Sequence, residues 1–242
     1  MKQKLKRFMS ILLGIALVLS LMPGMNLTVR ATTDTYTTLM NNATVVKFNN
    51  YDWYIIEDNS TSDGKGTVTL LAADNKFGLS KFSDSYSNAY SSSKIKATLD
   101  AMTQEGGAFA DVAGAIADTS LDDVSVMGAK LYLLSTSEAQ NLHNLPDKIL
   151  KYNYPDADMG AWWLRSAGYN VIYAACVFGE DGDDDVSGLN VHIAFGVRPA
   201  LPDCPKCIEG SMRQCIVEKE LGSFSAEVSA GKTHAVGDFG RR

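Results

Sequence analysis

Residues 162–201 read WWLRSAGYNVIYAACVFGEDGDDDVSGLNVHIAFGVRPAL, and the pattern of this stretch decides the fold class. Trp162 to Arg165, Val171 to Phe178 and Leu189 to Val197 are strand-like runs, rich in β-branched and aromatic residues. In the last of them Val191, Ile193, Phe195 and Val197 alternate with His192, Ala194 and Gly196, the period of two that sets one face of a strand on a core. Gly179 to Gly188, between the last two runs, is a turn-forming segment dense in Gly and Asp.

Toward the N-terminus lie three more strand-like runs, Thr44 to Phe48, Trp53 to Glu57 and Thr67 to Ala72, the last two separated by the polar turn segment 58–66. They predict an antiparallel hairpin with Trp53 and Ile55 on one face, and the nearly unbroken apolar run Tyr51 to Ile56 predicts a central strand. Between the two β-rich parts, Asn75 to Ser93 reads as a loop. Ile95, Leu99 and Met102 then show helical spacing, as do Phe109, Val112, Ala113 and Ile116, with Gly106-Gly107 separating the two runs. Lys130 to Leu134 is a short strand. Ser135-Thr-Ser-Glu138 is a capping box opening a helix through about Leu142, because hydroxyl and carboxylate can satisfy orphan backbone donors reciprocally. Strands, helices and a β-rich half without regular βαβ alternation predict an α+β domain with two to three short helices.

The domain is expected over residues 45–201, behind a flexible segment at 32–44 and a leader at 1–31. The leader has a basic start (Lys2 to Arg7), an apolar run from Ile11 to Met22, the helix-breaking Pro23-Gly24, and small residues at Val29-Arg30-Ala31. That is the layout of a secretory signal peptide, and twelve apolar residues fall short of the roughly 20 needed to cross a bilayer. Residues 202–242 have little apolar pattern and read as a tail or linker. The chain has 22 Lys and Arg against 28 Asp and Glu; five of the basic residues and none of the acidic ones lie in the leader, leaving residues 32–242 at −11. Such a balance argues against nucleic acid or anionic lipid as a partner, since both require clustered Lys and Arg. With 45% apolar and 21% charged residues, wholesale disorder is excluded.

Tyr51-Asp-Trp-Tyr-Ile-Ile-Glu57, Leu70-Leu-Ala-Ala-Asp74, Leu133-Leu-Ser-Thr-Ser-Glu-Ala139, Trp162-Trp-Leu-Arg-Ser166 and Gly196-Val-Arg-Pro-Ala-Leu201 together resemble a family of secreted bacterial domains, domain of unknown function 6273. The resemblance covers about Val45 to Leu201. It departs from the family pattern at Ala167-Gly168, where a Pro-Gly pair is usual, and at Pro202-Asp-Cys-Pro, where the family continues in a strand. It implies a C-type-lectin-like fold, similar to the sulfatase-modifying-factor group.

Arg165 and Arg198 sit in apolar strand context. Buried guanidinium groups need partners, which Asp74 or Glu57 could supply, and the alternative is a paired grip on an anionic ligand. Arg165, Arg198, Trp53 and Asp74 are therefore the expected structural residues. Trp162 and Trp163 are adjacent and point to opposite faces of a strand. Either one ring is free to stack on a ligand together with Tyr169, Asn170 and Tyr173, or both are core. Asp181, Asp183 and Asp185 alternate through the acidic turn as candidate Ca²⁺ ligands, without the Gly and distal Glu of an EF-hand; the alternative is a solvated hairpin tip. Cys176 reads as a small buried thiol, whereas Cys204, Cys207 and Cys215 are open to a disulfide, free thiols, metal or redox chemistry. His143, His192 and His234 are scattered, and no nucleophile elbow, zinc-protease motif, P-loop or dinucleotide fingerprint is present. The functional expectation is a secreted, non-catalytic module binding a glycan or extracellular protein. The alternatives are an extracellular enzyme (cysteine-dependent oxidoreductase or hydrolase) and a cell-surface spacer.

Overall fold

The computed structural model describes residues 36–59 and 67–203. The expected leader, the first residues of the N-terminal segment, and the tail with Cys204, Cys207, Cys215 and His234 lie outside the described residues. The first sheet starts with a tight hairpin. Strand β1 (Val45–Phe48) turns through Asn49-Asn50 into β2 (Tyr51–Asn59), with Phe48 opposite Tyr51. Both asparagines have positive φ, 50° and 63°, the combination that matches a two-residue turn to the twist of its strands. Strand β3 (Thr67–Ala72) pairs antiparallel with β2, which is thereby flanked on both sides, and Trp53 and Ile55 are fully buried as the apolar pattern predicts.

The second sheet is built around β8 (Trp162–Ala167), with β9 (Tyr173–Val177) on one side and β11 (Ala194–Gly196) on the other. Strand β10 (Asp184–Asn190) and the short β4 (Leu79–Lys81) form its edges, giving the order β10-β9-β8-β11-β4. All its pairings are antiparallel except β11 with β8, which meet at Gly196 and Trp162. Strands β5 (Thr119–Leu121) and β6 (Val126–Ala129) make a separate ribbon. The last strand, β12 (Pro199–Asp203), enters the first sheet between β3 and β7 (Tyr132–Leu133), for an order of β1-β2-β3-β12-β7. Among the described residues, three short helices complete an α+β fold: α1 (Tyr36–Asn41), α2 (Lys94–Met102) and α3 (Thr136–Asn141). Helix α2 buries Ile95 and Leu99, and α3 is opened by the full capping box of Ser135 and Glu138. Among the described residues, no helix is long and apolar enough to cross a membrane.

Several expectations are corrected. The expected flexible segment 32–44 contains α1, whose Leu39 and Met40 pack against the core and whose Thr37 hydroxyl donates to Asp58 at 2.6 Å. The second run of helical spacing forms only a 3₁₀ turn at Ala110–Val112. Phe109, Val112 and Ile116 are buried as expected, but the run starts just after Gly106-Gly107 and is interrupted by Gly114, which leaves it too short to propagate. Neither Val171 to Phe178 nor Leu189 to Val197 is one strand. Asn170 accepts from the Ile172 N–H, and Asn190 from the His192 N–H, each at 3.0 Å, so both side chains close local turns that compete with the ladder. Val171 and Ile193 are consequently exposed. The expected loop 75–93 holds β4 and a 3₁₀ turn at Tyr90–Ser92.

Gly196 is required for close approach. The Tyr154 ring lies against it, so that a Cβ would sit 2.4 Å from a ring carbon, and the Tyr154 hydroxyl donates to the Val197 carbonyl at 2.7 Å.

Candidate functional site

The two strand arginines are both buried, and they are held differently. Arg165, on central strand β8, donates from Nε to both Asp123 oxygens (3.1 and 3.0 Å), from Nη2 to Glu138 Oε1 (3.0 Å), and from Nη1 to the Leu133 carbonyl (2.9 Å). Burial alone would lower its pKa, but the hydrogen bonds it donates to Glu138 and Asp123 outweigh it and hold the group above its ordinary value. Arg198 lies at the crossing from the second sheet to the first. Its guanidinium is sandwiched 4.8 Å from the Tyr152 and Trp162 rings, and its Nε donates to the Ala72 carbonyl at 2.9 Å. No carboxylate reaches it among the described residues, and burial pulls its pKa down to about 10. Asp74 and Glu57, the expected partners, serve neither arginine. Asp74 accepts from the Asp52 and Lys76 N–H groups and pairs with the Lys76 ammonium, while Glu57 accepts from the Thr69 hydroxyl.

Trp162 and Trp163 are both fully buried, which corrects the reading of an exposed stacking ring. Strand β8 has a neighbour on each side and is covered on both faces. Trp163 packs against Phe82 and Phe195 and donates to the Ser80 carbonyl, while Trp162 carries Arg198. The remaining expected contacts do converge. Tyr169, in the loop joining β8 to β9, stands 4.7 Å from Tyr173 at the start of β9; Tyr169 is 68% exposed and Tyr173 is half-buried. The neighbouring Tyr169 hydroxyl raises the Tyr173 pKa. This loop is clamped by Asn88, whose amide donates to the Asn170 and Tyr173 carbonyls (2.9 and 2.8 Å) and whose backbone N–H donates to Val171.

Asn88 also lines a depression of about 400 Å³ with Ser91, Asp123, Ser125, Arg165 and Ser166. The result is a fixed carboxylate, an amide and several hydroxyls beside the two phenol rings. Asn88 and Asp123 escape sequence reading: Asn88 stands in a Ser-rich loop with no periodicity, and Asp123 lies in a 3₁₀ turn at Asp122–Val124. The only available signal was the need of Arg165 for a carboxylate.

The acidic turn, the candidate cation site, spends carboxylates on its own backbone. Asp181 Oδ1 accepts from the Asp183 N–H, and Asp185 Oδ1 accepts from the Ser187 and Gly188 N–H groups, so two of the three carboxylates close turns. Among the described residues no group of three or more His, Cys, Asp or Glu side chains is arranged to hold a metal ion. Cys176 is a buried free thiol, pushed up to about 12 by burial and by Asp185, so it stays protonated and is no nucleophile at neutral pH. The His192 ring is tilted against that of Tyr86 with centroids 4.4 Å apart, and His143 stands 3.6 Å from Asp184.

Compared with family models, curated proteins and solved structures, the chain matches none.

Proposed function

We propose that this chain is a secreted, non-catalytic binding module, of the domain of unknown function 6273 kind and C-type-lectin-like in fold, whose ligand is a glycan or an extracellular protein. The observation that carries the reading is the exposed Tyr169 ring against the half-buried Tyr173, locked by Asn88 beside the depression that Asp123 and Ser166 line. Flat aromatic faces stack on sugar rings and anchor protein interfaces, and a loop already ordered loses little entropy on binding. The carboxylate, amide and hydroxyl groups supply directional hydrogen bonds to ligand hydroxyls. Extracellular placement rests on the leader layout at residues 1–31.

The test is glycan-array and pull-down binding of the full chain and of a variant carrying Tyr169→Ala with Tyr173→Ala. Loss of the rings should weaken binding by at least about tenfold. Undiminished binding by the folded double variant refutes this surface.

A further inference from the structure

A second pocket, of about 230 Å³, lies over the first sheet and is separate from the tyrosine loop. Its floor is arranged by a β-bulge. Across β2 and β3, Ile55 pairs with Leu70 but Glu57 pairs with Thr69, leaving Ile56 as the extra residue. Cross-strand partners share a face, so the bulge moves Glu57 off the buried Ile55–Leu70 face and onto that of Thr69, whose hydroxyl donates to Glu57 Oε2 at 2.9 Å. Tyr132 belongs to the same face, because Ala200 of β12 stands opposite both Leu71 and Tyr132. Helix α3 contributes Glu138, and its flanks contribute Leu134 and Leu142.

Three features of this pocket point to a ligand. Glu57 has no cationic partner among the described residues, and no Lys, Arg or His lines the pocket. Glu138 shares Arg165 with Asp123, so that triad sums to −1, and Glu57 brings the wall to −2. Tyr132 also lines the pocket; only 5% exposed as a residue, it engages its hydroxyl in no side-chain hydrogen bond among the described residues, which leaves it available to a ligand as donor or acceptor. Two carboxylates amid leucine walls do not offer the six or more oxygens that a hard metal ion takes. They do suit an organic cation with an apolar stem.

We propose that this pocket binds a primary alkylammonium group, its N–H donors on Glu57 and the Tyr132 hydroxyl and its methylenes along Leu134 and Leu142. The group can belong to a free amine or to a lysine side chain of an extracellular polypeptide. This proposal stands independently of the tyrosine-loop reading.

The test is calorimetric titration of the full chain at low salt with n-butylammonium, with Nα-acetyl-lysine amide, and with neutral 1-butanol. Butylammonium should bind at least about tenfold more tightly than butanol, and added salt should weaken it. Glu57→Gln, at an exposed position, should weaken butylammonium by about tenfold or more, and Tyr132→Phe should weaken it severalfold with unchanged circular dichroism. Binding of the lysine amide as well assigns a polypeptide side chain, and binding of butylammonium alone assigns a free amine; both support the site. The Tyr169→Ala, Tyr173→Ala double variant should bind butylammonium as the parent does. Equal binding of butanol, no binding of butylammonium, or unchanged affinity in folded Glu57→Gln overturns the proposal.

Discussion

Arg165 and Arg198 show how one residue type is buried in two ways. Arg165 is 5% exposed and gripped by two carboxylates that are themselves 40% and 38% exposed, so the charge is compensated and its partners still reach water. Replacing it by Met leaves Asp123 and Glu138 without their cation, and the expected cost is about 3 kcal/mol, at the lower end for a broken buried pair because of that exposure. Asp123→Asn leaves the Glu138 contact in place and should cost about 1 kcal/mol or less. Urea unfolding of the two variants checks this, and similar costs would contradict the division of roles. The burial of both arginines was legible from their apolar neighbours. Their partners were not, because Asp123 and Glu138 lie 42 and 27 positions away and only the fold brings them to Arg165.

At the scale of elements, alternation and turn composition reveal the hairpin of β2 and β3, the centrality of β2, and the capped start of α3. They fail where a polar side chain interrupts a ladder from inside an apolar run, as Asn170 and Asn190 do. Pairing of distant strands was equally hidden, since nothing local in Gly196 announces its parallel contact with Trp162. The candidate site was half legible for the same reason: Tyr169 and Tyr173 announce themselves by type, whereas the Asn88 clamp arrives from more than 80 positions away. The bulge in β10 carries the sharpest local constraint. Gly188 has φ +78°, and a Cβ there would lie 2.4 Å from the Ala174 carbonyl oxygen of β9. Gly188→Ala should therefore destabilise the fold by about 2 kcal/mol or more, through backbone strain and a forced shift of β9. Thermal unfolding measures this, and an unchanged midpoint would show that the bulge relaxes freely.

The whole molecule carries an alkaline liability. Burial raises the pKa of Tyr90, Tyr132 and Tyr154 from 10.0 and pushes the Cys176 thiol from 9.0 up to about 12. Each group keeps its proton in the fold at a pH where the unfolded chain has lost it. Their stabilising contribution is whole below pH 9 and drains away as pH climbs through the folded values. Arg198 opposes this, since its folded pKa of about 10 lies below 12.5 and the unfolded chain binds that proton more tightly. Four groups outweigh one, so urea midpoints should be level from pH 7 to 9 and fall steadily above; a midpoint that rises between pH 9 and 11 would reverse this balance.

The placement of β12 has a consequence for the order of assembly. Among the described strands, the one that joins β3 to β7 is made last, so the first sheet stays open through most of synthesis. Until residues 199–203 are available, β3 and β7 have no common neighbour and Arg198 has no reason to settle between its two rings. The final contacts span more than 120 positions, which delays their closure until the rest of the chain is present. A polypeptide wired this way cannot close its first sheet before residues 199–203 have emerged.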